Sequence, residues 1–217
     1  RPVEHQSMSW EHPGEVRLAP LLPANGPVLK SLQLPEEYAI TQAEDLGIEA
    51  FLCRLEQRLV AGLRLVQVRE KGFGRETFAK FARDVVALAR PAGARVIINA
   101  DAELARAIRA DGVHLTARQL AETRSRPDLP WCGASCHTAT DLRMAEDLGV
   151  DFAVLGPVLK TATHPDAIPL GWDRFGLLVA DAAIPVFALG GLSPASVDIA
   201  RRRGAHGIAM RRGSWTS

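Results

Sequence analysis

The sequence predicts an α/β fold, a (β/α)8 TIM barrel of parallel strands. From residue 38 onward, short β-branched runs alternate with segments rich in Ala, Leu, Arg and Glu, whose apolar residues are spaced three and four apart. Eight such runs within about 180 residues favour a closed barrel over an open sheet. Because the chain stops soon after the eighth run, we expect the last helix to be missing or truncated.

The predicted strands are the runs 38–41, 65–68, 96–98, 113–115, 132–136, 152–158, 185–189 and 207–210. The clearest helical spacings cover 49–59, 76–88, 140–148 and 195–202. Residues 1–35 contain six prolines and allow at most a short helix over about 27–34, with Asn25 as its cap. We therefore expect two parts, an irregular tail or linker over 1–35 and a barrel over 36–217.

The composition excludes several classes of protein. The 26 Lys and Arg residues nearly balance the 25 Asp and Glu residues, which gives no reason to expect a nucleic-acid polymer or a membrane as partner. With 47% hydrophobic residues the chain is globular rather than disordered, and no apolar stretch reaches the roughly 18 residues of a membrane span. Three cysteines without zinc-type spacing fit a reducing compartment, so the expected location is the cytoplasm.

The ligand site of such a barrel lies at the carboxyl ends of its strands. The candidate binding residues are the polar side chains that follow the predicted strands: Gln67, Arg69, Lys71, Asn99, Ser135, His137, Thr161 and Thr163. Alternation with two valines places the first three on one strand face, where they would offer several donors to an anion. The alternative is a polar layer that Glu70 or another carboxylate neutralises.

Two further features suggest phosphate binding and proton transfer. Gly190-Gly191 and Arg211-Arg212 follow the last two strands, where barrels commonly bind phosphate through backbone N–H groups, although the glycines could equally serve tight turns. His137 can exchange protons near neutral pH. The alternative is a structural histidine bonded to a backbone carbonyl.

Six motifs in the right order and spacing resemble the thiamin phosphate synthase and TenI superfamily over nearly all of 38–213. They are Val-Gln-Val-Arg-Glu-Lys (66–71), Ile-Ile-Asn (97–99), Ala-Asp-Gly-Val-His-Leu (110–115), Gly-Ala-Ser-Cys-His-Thr (133–138), Leu-Gly-Pro-Val-Leu-Lys-Thr-Ala-Thr (155–163) and Ala-Leu-Gly-Gly-Leu (188–192). The resemblance implies a barrel that binds a thiazole phosphate, a small phosphorylated heterocycle, near Gly190, Gly191, Arg211 and Arg212. The resemblance is also compatible with a homodimer.

The sequence departs from the synthases at their metal site. The family's two magnesium-binding aspartates correspond to Ala100 and Gln119, and neither a methyl group nor a neutral amide replaces a carboxylate. Asp101 is one residue away and is expected to cap the following helix. His164 stands where the family's pyrophosphate loop has a lysine, although Lys160 could replace the lost positive charge from another position. Coupling of two substrates with departure of pyrophosphate therefore looks impaired.

TenI proteins lack the same metal set and tautomerise a carboxythiazole phosphate by proton transfer, with a histidine at the position of His137. The resemblance thus favours a thiazole tautomerase, an isomerase that needs no cofactor in this domain. Two alternatives are a non-catalytic module that binds a phosphate ligand and a thiamin phosphate synthase with an altered metal site.

The N-terminal segment carries a second resemblance. Trp-Glu-His-Pro-Gly-Glu-Val at 10–16, followed by Leu-Leu-Pro-Ala-Asn-Gly-Pro at 21–27, is similar to the closing segment of MutT-type Nudix hydrolases. It implies a fusion in which an upstream Nudix domain, an 8-oxo-dGTP diphosphatase, packs with the barrel. Magnesium is expected only for that domain, whose metal-binding glutamates are absent from these residues.

Overall fold

Eight parallel strands close into a barrel in chain order, which confirms the predicted fold class. The computed structural model describes residues 10–11, 15–17, 21–22, 25–161 and 168–216. Each strand pairs with the next along the chain, and the eighth pairs with the first. The strands are β1 (Glu37–Ile40), β2 (Leu65–Val68), β3 (Arg95–Asn99), β4 (Gly112–Leu115), β5 (Trp131–Cys136), β6 (Phe152–Leu155), β7 (Val186–Leu189) and β8 (Gly207–Met210).

Aromatic side chains fill the inside of the barrel. Tyr38 of β1 packs edge-to-face on Phe152 of β6, with ring centroids 5.3 Å apart, and Phe152 packs on Phe187 of β7 at 5.6 Å. Strands β1 and β6 are not neighbours, so these rings meet across the interior. Gly133 of β5 provides the space, because a Cβ there would lie 2.5 Å from the Phe152 ring and 2.8 Å from Nδ1 of His114.

Helices follow most of the strands. Their bounds are α1 (Asn25–Ser31), α2 (Ala43–Leu46), α3 (Ile48–Val60), α4 (Arg75–Ala89), α5 (Ala102–Ala107), α6 (Ala117–Glu122), α7 (Ala139–Leu148), α8 (Gly171–Val179) and α9 (Val197–Arg202). Asp101 caps α5 as expected, since its carboxylate accepts the Leu104 N–H at 2.8 Å. Thr116 and Thr138 form capping boxes at the starts of α6 and α7.

The described residues after β8 form turns rather than a helix, as the sequence predicted. Trp215 lies in this segment, and its indole Nε1 donates to the Ile40 carbonyl at 2.7 Å. Its ring packs on Phe51 of α3, with centroids 4.6 Å apart, and its carbonyl accepts from Arg54 at 3.0 Å. A buried tryptophan thus covers the junction of β1 and α3.

The chain divides into two compact units, Arg1–Leu34 and Pro35–Ser217. In the described part of the first unit, α1 spans seven residues, and the Ser31 hydroxyl donates to the Val28 carbonyl at 2.7 Å. The second unit is the barrel. Among the described residues, no helix combines the length and the apolar character that a membrane crossing requires.

Candidate functional site

The loops after β1, β2 and β8 bring charged side chains together at the barrel rim. Because β2 ends at Val68, Arg69 and Lys71 lie in the loop beyond the strand. The sequence had predicted that both share a strand face with Gln67, and this prediction is wrong. Arg69 is partly buried, and its backbone N–H donates to the Thr41 hydroxyl at 2.9 Å. Lys71 is exposed.

Carboxylates of the short helix α2, which follows β1, face Arg211. Its Nη1 lies 3.1 Å from the Asp45 carboxylate and its Nη2 lies 3.7 Å from that of Glu44. Glu70 is engaged elsewhere, because its carboxylate accepts the backbone N–H groups of Ala43 at 2.8 Å and Glu44 at 3.1 Å. Glu70 and Glu44 still act electrostatically on Arg69, so carboxylates do accompany this arginine, as the alternative to ligand binding predicted.

The loops after β2 and β8, on either side of β1, carry one arginine each, Arg69 and Arg211. Burial is the main cause that lowers the pKa of Arg69, and the positive charge of Arg211 lowers it further, while Glu70 and Glu44 oppose the shift. An anion placed between the two guanidinium groups would relieve their repulsion.

A hydrogen-bonded chain of polar side chains crosses the barrel interior below this corner. The Gln67 amide donates to the Tyr38 hydroxyl at 3.0 Å, Tyr38 lies 3.4 Å from Nδ1 of His114, and Nε2 of His114 lies 2.9 Å from the Ser135 hydroxyl. Burial, followed by the charge of Arg69, lowers the pKa of His114 to about 3, and burial raises that of Tyr38 above its usual range.

The neutral state of His114 gives this chain a direction. Because Gln67 already donates to Tyr38, we assign the phenol O–H as a donor to Nδ1, which leaves the ring proton on Nε2 as a donor to Ser135. The Ser135 O–H is then available to a ligand at the rim, where Asn99 is also partly exposed. From the sequence, Tyr38 belongs to the first predicted strand and carries no predicted function, and His114 could be a proton-exchanging or a structural histidine, with less support than His137.

His137 lies one residue beyond β5 and is exposed. Its Nδ1 is 2.7 Å from the Gly156 carbonyl, which can only accept, so Nδ1 carries a proton and donates it. This is the contact that the structural alternative predicted. A catalytic role for His137 rests on the sequence resemblance alone.

The glycines after β7 are required by close backbone contacts. A Cβ on Gly190 would lie 2.7 Å from Pro157, and one on Gly191 would lie 2.6 Å from the Lys160 carbonyl. Both residues also have positive φ, 110° and 68°. Tight packing against the loop after β6 therefore accounts for these glycines, and their role in binding phosphate, with the exposed Arg212, stays a prediction.

The structure joins the two positions where the family carries its metal-binding aspartates. The Gln119 side-chain amide donates to the Ala100 carbonyl at 2.8 Å, while its oxygen accepts the Thr116 N–H at 3.1 Å. Asp101 is occupied as the helix cap. Nowhere in the described part of the chain do three His, Cys, Asp or Glu residues cluster as a metal site would need. These residues do not fit a magnesium ion.

The loop after β6 is described as far as residue 161. Thr161 is partly buried at its end, and Lys160 is exposed. Thr163 and His164, which the sequence analysis placed at the pyrophosphate, lie outside the described residues.

Comparisons with known proteins agree on one family. The sequence profile of the thiamine monophosphate synthase (TMP-TENI) family matches residues 37–213. The chain is 37% identical over 181 residues to the putative thiamine-phosphate synthase 2 of Aquifex aeolicus, which covers 82% of this chain and 96% of that protein. It is 35% identical over 177 residues to the putative thiamine-phosphate synthase of Geobacter sulfurreducens, covering 80% and 83%.

A solved structure shares the fold. The thiamine phosphate pyrophosphorylase of Pyrococcus furiosus superposes with a TM-score of 0.68 at 24% identity, over 81% of this chain and 85% of that one.

These findings correct the predicted activity. The expectation of a thiazole tautomerase, an isomerase, is wrong, because relatives at 32–37% identity are named thiamine-phosphate synthases, which are transferases. The non-catalytic module has no support either. The alternative of a synthase with an altered metal site agrees best with these relatives, and it requires another account of how the leaving group is stabilised.

Proposed function

Because the chain belongs to the thiamine monophosphate synthase family, we propose that it joins a thiazole phosphate to a pyrimidine that carries a pyrophosphate group. The observation that carries this proposal is the 37% identity to a putative thiamine-phosphate synthase over 96% of that relative's length. The similarity runs through all eight strands and the rim loops between them, so it includes the residues of the candidate site.

The proposed reaction is a substitution at the methylene carbon of the pyrimidine. The bond from this carbon to the pyrophosphate oxygen breaks, and the leaving group takes the electron pair. The lone pair of the thiazole nitrogen then forms the new carbon–nitrogen bond, which yields the thiazolium of thiamine phosphate and free pyrophosphate. No proton, oxidant or reductant enters this balance.

The chain therefore has to bind two anionic substrates, hold the rings in line and stabilise a departing polyanion. We assign the pyrimidine to the rim end of the interior chain, where Ser135 offers a hydroxyl and Gln67, Asn99 and the neutral His114 lie nearby. The thiazole phosphate is assigned to the loops after β6, β7 and β8, with Thr161, Gly191 and Arg212. The family's magnesium would act on the pyrophosphate, but Ala100 and Gln119 do not fit that ion.

A direct assay tests this proposal. The purified chain is incubated with thiazole phosphate and pyrimidine pyrophosphate, and thiamine phosphate is quantified by mass spectrometry alongside released pyrophosphate. We expect one mole of each product per turnover. Ser135→Ala should lower kcat at least about ten-fold, because it removes a positioned donor, while Thr77→Ala, an exposed hydroxyl on α4, should not. Product no higher than in the enzyme-free blank would refute the synthase assignment.

We also propose that the N-terminal unit is the closing segment of a Nudix hydrolase of the kind that cleaves oxidised dGTP. The support is the sequence pattern Trp-Glu-His-Pro-Gly-Glu-Val at 10–16. The test is the natural sequence that encodes the region upstream of Arg1, where a Nudix box with its metal-binding glutamates should occur. An upstream region without that box would overturn the proposal.

A further inference from the structure

We infer that Arg211, acting with Arg69, binds the pyrophosphate group. The two arginines would supply the positive charge that a divalent ion supplies in synthases with both metal-binding aspartates. The inference rests on the proposed synthase function and assigns Arg211 to the leaving group rather than to the thiazole phosphate. The resemblance to the family had instead placed Arg211 near the thiazole phosphate.

Strand order places the two arginines on either side of β1. Ala39 pairs with Val66 of β2 on one side and with Met210 of β8 on the other. Arg69 and Arg211 follow those two strands at the carboxyl end of the barrel, so they flank the loop that leaves β1. A pyrophosphate offers two phosphoryl groups, each with negative oxygens that can accept charge-assisted hydrogen bonds from a separate arginine.

Arg211 has unused hydrogen-bonding capacity. A guanidinium group offers five N–H donors. In the described part of the chain, only its contact with Asp45, at 3.1 Å, has the length of a hydrogen bond, because Glu44 is 3.7 Å away. Its Nε is buried and has no hydrogen-bond partner among the described residues. A buried donor without an acceptor is unfavourable, so a ligand that brings oxygens to this guanidinium gains from satisfying it.

The carboxylates that hold Arg211 differ in how easily they can be displaced. Glu44 is tied to the next loop, because its carboxylate also accepts the Gly72 N–H. Asp45 is half exposed and also accepts from the Gln42 side chain at 3.0 Å. A polyanion can compete with one solvated carboxylate for Arg211, and the freed Asp45 remains hydrated and bonded to Gln42.

The electrostatics of the corner favour an anion there. Arg69 is partly buried and is affected by the positive charge of Arg211, so their mutual repulsion falls when an anion binds between them. The positions that would hold a metal ion instead form an internal bond between the Gln119 amide and the Ala100 carbonyl. Positive charge at this rim therefore has to come from side chains, and arginine keeps its charge at every physiological pH.

Calorimetric binding of inorganic pyrophosphate in EDTA tests the inference without any reaction. We expect the full chain to bind pyrophosphate without a divalent ion and Arg211→Met to bind it about ten-fold more weakly, with Arg211→Lys in between because it keeps the charge but loses the planar fork. Asp45→Asn should bind about three-fold or more tightly, because the competing charge is gone. Arg118→Met, on the exposed side of α6, is the matched control and should bind like the wild type.

Arg211→Met should weaken pyrophosphate binding and Asp45→Asn should strengthen it. These opposite changes in affinity distinguish anion binding from a purely structural ion pair. If Arg211 only braces the β1 loop, Asp45→Asn will lower the melting temperature as Arg211→Met does and will not tighten pyrophosphate binding. Equal affinity of Arg211→Met and the wild type, or binding that appears only with magnesium, would overturn the inference.

Different results would refute the synthase proposal and the inference about Arg211. Absence of thiamine phosphate in the coupled assay refutes the proposed reaction even where pyrophosphate binding depends on Arg211. Conversely, turnover that Arg211→Met leaves unchanged refutes the role of Arg211 and keeps the synthase. If Arg211→Met does not fold, Arg211→Lys and Asp45→Asn decide the question with the same titration.

Discussion

Burial gives His114 a chemical role that its residue type does not reveal. An exposed imidazole titrates near neutral pH, whereas this one has a pKa of about 3 because it is buried and faces the charge of Arg69. It therefore stays neutral, and in the tautomer assigned above it accepts from Tyr38 at Nδ1 and donates to Ser135 from Nε2. His137, which looked the more reactive histidine in the sequence, is the one that a backbone carbonyl holds.

The depressed pKa of His114 makes stability depend on pH. The unfolded chain protonates this residue below about pH 6.5, while the folded chain resists protonation down to about pH 3. Stability is thus fully present above pH 6.5 and falls as the pH drops through the window between these values. The slope for one group approaches about 1.4 kcal/mol per pH unit.

Urea unfolding at pH 7, 6, 5 and 4 measures this slope. We expect His114→Gln to be less stable than the wild type at pH 7 but to lose less stability on acidification. The slope is the decisive readout, because a merely structural loss would shift every pH equally. Parallel curves for the two proteins would contradict a buried neutral histidine.

The hydrophobic pattern predicted strands and helices well where a helical pattern was long or where apolar runs alternated clearly with helical segments. All eight strands were predicted within one or two residues at most ends, and α3, α4 and α7 match their apolar spacings. The strand predicted over 152–158 ends at Leu155, because Pro157 has no N–H to continue a ladder. Helices α5 and α6 span six residues each, too few turns to show a period, so only their capping residues signal them.

One element has no counterpart in the pattern, the turn that carries Trp215. Its ring is buried against Phe51, and its N–H satisfies the Ile40 carbonyl. Trp215→Ala should lower the free energy of unfolding by about 3 kcal/mol or more, through lost burial and the cavity left behind. Trp215→Phe keeps most of the ring and loses the hydrogen bond, so about 1 kcal/mol is expected.

Urea titration with far-UV circular dichroism ranks the two variants against the wild type. The matched control is Trp172→Ala on α8, a tryptophan that is only partly buried and should cost less. A Trp215→Ala protein as stable as the wild type would show that this turn does not hold β1 and α3 together.

At the scale of the whole molecule, the site depends on pairs that sequence cannot place. Arg211 and Asp45 come from opposite ends of the barrel sequence and meet because β8 closes on β1. The sequence identified Arg69, Arg211 and Ser135 as rim residues from strand order alone. It could not tell that Glu70 turns to the backbone, that Asp45 faces Arg211, or that Tyr38 and His114 link Gln67 to Ser135, because those depend on side-chain packing.

The same closure brings Ala100 and Gln119 together, so restoring carboxylates at both positions is a test of the whole rim. Ala100 has φ 64°, a conformation that aspartate tolerates better than alanine. Gln119→Glu keeps the oxygen that accepts the Thr116 N–H, so the cap of α6 should survive. Beside the backbone carbonyl of residue 100, the double variant Ala100→Asp/Gln119→Glu would present two carboxylates, so that three oxygen-bearing groups suit a hard cation there.

We expect this double variant to gain magnesium dependence that the wild type lacks. Its affinity for pyrophosphate in 5 mM magnesium should exceed its affinity in EDTA by about ten-fold, whereas the wild type should change by less than about two-fold. The control, Ala100→Asn with the native Gln119, has similar size without charge and should behave like the wild type. If magnesium strengthens wild-type binding as much as that of the double variant, the arginines are not the source of charge at this rim, since the ion then binds without those carboxylates.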